Sequence, residues 1–298
     1  MTISKKNKLN GWIFIDKPKN ITSYHVIRRL KKILNINKIG HAGTLDPFAT
    51  GILAIAVGEA TKSIHYFNQN KVYAFNVVFG ESKDTDDITG KTINKSNVIP
   101  KIEDIHQCLK KFIGKHTQVP PQYSAVKING KRAYRLARNN QKFVIQSKNV
   151  FIKSLKCLGA LGKNEYSFIM ECSTGTYVRS IARDLGKMLG SYAYVSELRR
   201  LKIGKIAEKD IILLDKFEEL VHIGHHFEAM HSIRDVLDDI PAVLIDHEVS
   251  QKFRNGLSFE YQSNKSNSDY LLIVTRSKFV GIGKVVEGNI KPVRVFNL

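Results

Sequence analysis

Cysteine is scarce. Cys108, Cys157 and Cys172 form an odd, widely spaced trio without a CxxC pair, which excludes a zinc ribbon or a redox dithiol and leaves incidental thiols of a reducing compartment. Acid is short as well: 27 Asp and Glu face 47 Lys and Arg, a formal charge of +20 over 298 residues. A field of that sign draws polyanions by steering and counterion release, so nucleic acid is the first partner to consider. A solvated, merely basic surface is the plain alternative. Long apolar runs are missing: the longest, Ile52 to Val57, is far too short to span a bilayer. The lysine-rich stretch from Met1 to Asn10 is followed by no apolar signal-like segment, and the reading is a cytoplasmic protein without membrane contact. Internal repeats and low-complexity tracts are absent, and Gln262 to Asp269 reads as a polar loop.

With 43% hydrophobic residues the chain can fill a large core and a smaller one. Gly11 to Asp16 reads as a buried strand that Lys17-Pro18 ends. A helix follows, with Ser23 as its cap, Val26, Ile27, Leu30, Ile33 and Leu34 at helical spacing, and a cationic face of Arg28, Arg29, Lys31 and Lys32. Ile52 to Val57 is expected as a central strand, Lys71 to Gly80 as an alternating one, and Ile102 to Ile113 as a helix. Lys148 to Leu161 and Glu165 to Cys172 have the make-up of paired strands, and Thr176 to Leu189 that of a helix. Past about Asp239 come short strand candidates, Leu271 to Thr275, Phe279 to Val286 and Val293 to Phe296. The fold class is α+β: a mixed, largely antiparallel sheet with flanking helices over 1–240, then a small β domain over 241–298.

The segment from Gly40 to Gly51, GHAGTLDPFATG, packs three glycines, a histidine and an aspartate into twelve residues, as in a loop built for close approach. Taken alone, Asp46-Pro47 is most simply a turn. A phosphate loop is the competitor, but the Lys and hydroxyl of GxxxxGK[ST] are missing.

This loop closely resembles the catalytic motif of the TruB family of tRNA pseudouridine synthases. The resemblance extends over Asn10 to Pro18, Lys71 to Phe75, Asp84 to Asp87, Gln118 to Lys127, Cys172 to Ser180 and Leu198 to Arg200, in that order. It implies isomerisation of uridine 55 in the T-arm loop of tRNA by a monomer with no obligate protein partner. The reaction breaks an N-glycosidic bond and remakes it at carbon 5 without redox change, so neither metal nor cofactor is expected. By resemblance Asp46 is the catalytic carboxylate, as nucleophile or as ribose-deprotonating base. Arg179 matches the arginine that pairs with it, since a carboxylate in a water-excluding site needs a fixed cation. Tyr73 matches the catalytic tyrosine that stacks on the extruded uracil. Tyr177 and Leu198 match residues lining the base pocket, His41 a residue beside the flipped nucleotides, and Asp87 is carried as a further substrate-binding residue.

Residues 120–148, with Lys127, Lys131, Arg132, Tyr134, Arg135, Arg138 and Lys142, match an insertion that closes over RNA; they are equally compatible with a solvated amphipathic helix. The tail from Pro241 resembles a PUA-like RNA-binding domain. Two competing expectations remain: a guide-RNA-dependent relative with the same core, and a non-catalytic RNA-binding protein on the same scaffold.

Overall fold

The computed structural model describes residues 9–261 and 270–298; the polar loop expected at Gln262 to Asp269 and residues 1–8 lie outside the described residues. The chain opens with β1 (Gly11–Lys17), α1 (Ser23–Ile33), β2 (Ile39–His41), β3 (Thr50–Val57) and β4 (Lys71–Phe79). The run from Trp12 to Ile15 is apolar at every position because both faces of β1 are covered. Ile13 and Ile15 join Leu53, Ile55 and Val57 in one core, while Trp12 and Phe14 join Ile52, Ala54 and Ala56 in another. β4 alternates as expected, with Tyr73, Phe75, Val77 and Phe79 buried.

The cap of α1 is Thr22, not Ser23: its hydroxyl accepts from the His25 amide at 3.0 Å. Ser23 is buried and committed elsewhere, donating to the Leu45 carbonyl (3.0 Å) and accepting from the Leu45 amide (2.9 Å). That exchange fastens α1 to the residue before Asp46.

Next come the hairpin β5 (Glu81–Lys83) and β6 (Thr92–Lys95), then α2 (Ile102–Leu109) and β7 (Gly114–Gln118). The helix expected through Ile113 ends at Leu109 and tightens into a 3-10 turn over Lys110–Phe112; Ile113 is already extended, and Gly114 follows at φ +93°. A small insertion holds β8 (Lys127–Ile128), β9 (Lys131–Arg132) and α3 (Ala133–Arg138). In it Ala133 and Ala137 are buried while Arg135 and Arg138 stay exposed. β10 (Lys148–Ala160), β11 (Glu165–Cys172), α4 (Val178–Met188), β12 (Ala193–Ile203), β13 (Ile206–Ala207), β14 (Ile212–Leu213), α5 (Leu214–His222) and α6 (Ile233–Val236) complete this part.

The main sheet has ten strands in the order β14-β1-β3-β12-β4-β11-β10-β7, with β2 beside β3 and β13 beside β12. Its described pairs are antiparallel except β1 with β14 and β3 with β12. The β3–β12 contact is a two-residue seam, Thr50 opposite Arg199 and Gly51 opposite Arg200. It joins the two antiparallel halves of the sheet, and the Asp46 loop leads directly into it. Helices α1, α2, α4 and α5 contribute Val26, Leu30, Ile105, Ile181 and Phe217 to the core on one face.

The C-terminal part forms a separate five-stranded sheet, β15-β17-β18-β19-β16, from β15 (Ala242–Leu244), β16 (Phe259–Glu260), β17 (Tyr270–Val274), β18 (Phe279–Val286) and β19 (Asn289–Val295). The last strand starts at Asn289, ahead of the expected Val293, because it pairs with β18 from Val286 onward. Phe253 of α7 (His247–Arg254) packs with Leu271, Ile273 and Val280, while Leu272, Val274 and Ile282 share a core with Trp12 and Phe14. The small sheet therefore covers the face of β1 and β3 opposite α1. No described helix is long and apolar enough to cross a membrane.

Gly51 sits at φ +95°, and a Cβ there would lie 2.3 Å from the Arg200 carbonyl oxygen. Gly51→Ala is expected to lower the unfolding free energy by at least about 2 kcal/mol, read as a lower urea midpoint at unchanged slope.

Candidate active site

The loop between β2 and β3 is held by its carbonyls. Arg200 donates to Gly43 O (3.2 and 3.3 Å) and Thr44 O (3.1 Å), and Ser23 to Leu45 O. The Ala49 amide donates to Asp46 O at 3.1 Å; the Asn20 amide (2.8 Å) and Lys17 Nζ (3.2 Å) both donate to Pro47 O. Every carbonyl from Gly43 to Pro47 is thus engaged, and the Asp46 side chain projects from a fixed backbone.

Arg179 stands in the first turn of α4. Its Nη2 donates to Asp46 Oδ1 at 2.7 Å and to Tyr123 O at 3.1 Å; Nη1 donates to Thr85 O at 2.9 Å and lies 3.4 Å from Asp87 Oδ2. The Arg179 side chain is only 3% exposed and that of Asp46 27%, so the cation is sealed inside while the carboxylate keeps an open side. The turn into α4 is clamped by the buried Gln118, whose amide donates to Gly175 O (2.7 Å) and accepts from the Tyr177 amide (3.1 Å). Ser180 and Arg183 both donate to Val119 O at 2.8 Å. The strand that leads into the insertion is therefore laced to the helix that carries Arg179.

Asp87 is buried, its Oδ1 accepting from Thr85 Oγ1 (2.8 Å), the Thr89 amide (3.0 Å) and Thr89 Oγ1 (2.5 Å). One turn further along α4, Arg183 pairs with Asp86 at 2.9 Å, so two arginines hold the same acidic turn. Burial pushes the Asp86 carboxyl up, against the opposing pull of Arg183.

Tyr73 and Leu198 come from neighbouring strands: Tyr73 lies opposite Arg200, and Phe75 opposite Leu198. Burial drives the Tyr73 phenol up to about 12, and the Arg200 guanidinium, 5.7 Å from its ring centre, pulls the other way. Tyr177 is half-buried, and burial raises its phenol too; the charge of Asp46 acts on both tyrosines. Asp46, Arg179, Asp87, Tyr73 and Tyr177 are thereby brought together, with Leu198 in the apolar wall beside Tyr73. His41 stands apart from that ion-pair cluster. It ends β2, its Nδ1 is buried without a hydrogen-bond partner, and burial together with Arg200 lowers its pKa.

Three buried cations carry weight that sequence reasoning did not assign. Lys17 donates to Pro18 O, Ile21 O and Pro47 O; burial lowers its pKa to about 8, partly offset by Asp46. Burial, with Arg200 nearby, also brings Lys71 down to about 8. Arg200 is fully buried, and no described carboxylate pairs with it. The available signal was Lys17 ending an apolar strand and Arg200 alternating with Leu198 along β12. No pattern of spacing reveals that their partners are backbone carbonyls.

The model of the TruB family pseudouridylate synthase N-terminal domain matches residues 31–178, and that of the tRNA pseudouridylate synthase B C-terminal domain matches 179–244. The chain is 44% identical to a tRNA pseudouridine synthase B of Ehrlichia ruminantium over 97% of this chain and 99% of the relative. It is 39% identical to that of Rhodospirillum rubrum, over 97% of each chain. Among solved structures it is similar to a chain of a Cbf5-Nop10-Gar1 complex, with a TM-score of 0.74 and 24% identity over 96% of this chain and 85% of that one. That likeness is one of fold.

Lys71 supplies a pH test. With its pKa lowered from 10.5 unfolded to about 8 folded, it is charged in both states below about pH 8, where the burial penalty is full; above 10.5 it is neutral in both and the penalty is gone. Between those limits the unfolded chain binds more protons, so this residue's contribution makes stability rise with pH. Lys71→Met is expected to gain up to about 3 kcal/mol over the parent near pH 7, and that gain shrinks as pH rises from 8 to 10. Urea unfolding of both proteins across this range checks it.

Proposed function

The chain belongs to the TruB family of pseudouridylate synthases and is a tRNA pseudouridine synthase; on that premise we propose that it isomerises uridine 55 in the T-arm loop, with Asp46 as the reacting carboxylate. The observation that carries this reading is the 2.7 Å contact of a sealed Arg179 with a carboxylate whose other side is open. A protein that only bound RNA would need the surface charge but not that pair.

The target nucleotide leaves its stack at a cost of a few kcal/mol, which contacts to phosphates and stacking on Tyr73 offset. Asp46 acts on the ribose and loosens the N-glycosidic bond. The freed base turns so that carbon 5 meets the anomeric carbon, and Leu198 and Tyr177 keep the pocket dry. Carbon 5 then loses its proton and nitrogen 1 gains one, so the balance is that of an isomerisation. With its phenol held near 12, Tyr73 is neutral at pH 7 and serves as a relay for that proton, handing on its own as it accepts. His41 and Asp87 contribute at the substrate, His41 from the loop edge and Asp87 by holding the far side of Arg179.

Residues 1–240 form the catalytic domain in this reading, and 241–298 a PUA-like RNA-binding domain. The insertion of about 120–148 supplies exposed Lys127, Lys131, Arg132, Arg135, Arg138 and Lys142 to RNA phosphates. Tyr134, 6.0 and 5.8 Å from the guanidinium carbons of Arg135 and Arg138, keeps that cationic group together. The enzyme works in the cytoplasm as a monomer, without an obligate protein partner.

Release of tritium from tRNA labelled at carbon 5 of uridine tests the chemistry: the parent releases it, Asp46→Asn falls to background, and equal rates in the two would remove Asp46 from its role. Mass spectrometry of tRNA from cells lacking the protein is expected to find uridine in place of pseudouridine at position 55 alone. Binding of tRNA is expected to weaken steeply with salt, with a log–log slope of about 0.7 per phosphate contact. A salt-independent Kd would exclude the basic surface as the RNA face.

A further inference from the structure

Arg200 is fully buried on β12, and no described carboxylate pairs with it. What it has instead is weak for a guanidinium: two loop carbonyls at 3.1 to 3.3 Å, the face of Tyr73, and an Nε that is buried without a hydrogen-bond partner. Its charge reaches further, opposing protonation of Lys17, Lys71 and His41. A folded protein has a cheaper solution for that volume, an apolar side chain, and a buried unpaired cation is retained where its position matters.

Arg200 touches both halves of the site. Its Nη atoms hold the carbonyls of Gly43 and Thr44, just ahead of Asp46, while its guanidinium lies against the ring of Tyr73, its partner across the β4–β12 ladder. The Gly51 φ of +95° lets β3 meet the Arg200 backbone closely enough for this contact. We propose that Arg200 is a positioning residue for the isomerisation, fixing the Asp46 loop and the Tyr73 ring in register from beneath. A lysine would keep the charge, but its single Nζ lacks the planar, two-nitrogen fork with which Arg200 holds the Gly43 and Thr44 carbonyls beside the ring.

The inference rests on the proposed roles of Asp46 and Tyr73, and the experiment separates the two. Single-turnover tritium release and tRNA Kd are measured for the parent, Arg200→Lys and Asp46→Asn, with thermal unfolding of each. For Arg200→Lys the rate is expected to fall on the order of 10- to 100-fold with Kd within about twofold, because a misplaced reacting group costs rate rather than binding. Arg200→Lys is then combined with Tyr73→Leu, which removes the ring: its rate effect is expected to shrink in that background, whereas a role confined to stability leaves the two effects additive. A parental rate in Arg200→Lys beside an inactive Asp46→Asn overturns the inference alone. A parental rate in Asp46→Asn overturns the reading beneath it. If Arg200→Lys does not fold, Arg200→Gln takes its place in the same series: a lowered rate at unchanged Kd supports the inference, and an unchanged rate overturns it.

Discussion

The charge of Arg179 is the constraint around which the rest is arranged. The two Nη atoms of this sealed guanidinium find partners on three separated stretches: Asp46, the Thr85–Asp87 turn, and the Tyr123 carbonyl. Removing one partner of a buried ion pair typically costs about 3–5 kcal/mol. The loop, the acidic turn and the root of the insertion are therefore not independent decorations on the sheet. Each is tied to the first turn of α4, and the Gln118 amide fixes where that turn begins.

The sheet makes this convergence possible through its one irregular join. β1 with β3 and β4 with β12 are long antiparallel pairs, but the halves they build touch over only two residue pairs. A full ladder there would carry β3 past the site and leave no room for the loop. The short seam lets the chain leave β2, present Asp46 to Arg179, and drop back into β3 at Thr50. On the opposite face the small C-terminal sheet buries Trp12 and Phe14, so the floor of the site is stiffened from behind.

Elements whose burial follows a simple period were legible in the sequence. β1, β3, β4, β11 and α4 have one or two apolar faces, and period alone locates them within a few residues. The site was legible for a different reason: the loop motif and the segments around Tyr73 and Arg179 match a family pattern, whereas Asp46-Pro47 alone reads as a turn. What escaped was tertiary hydrogen bonding. Thr22 and Ser23 are chemically equivalent as caps, and only the presence of Leu45 beside α1 takes Ser23 out of that role. Lys17 and Arg200 look like solvated cations on paper because a carbonyl partner leaves no mark on the sequence. Gln118 is hidden in the same way.

The electrostatic design works on two scales that are easily conflated. The exposed basic side chains act through a field that is screened within about 8 Å at physiological salt and bears on encounter and on phosphate contact. Lys17, Lys71, Arg179 and Arg200 are buried, and screening by salt reaches them far less. Against them stand the buried Asp86 and Asp87 and the half-open Asp46, so the floor of the site keeps a cationic excess even after its ion pairs are counted. Burial holds two of those cations, Lys17 and Lys71, near a pKa of about 8, with Arg200 pulling the same way. In the proposed reading, a polyribonucleotide relieves that excess when it docks. The groups that are costly to bury are, on that reading, the same ones that favour a polyanion.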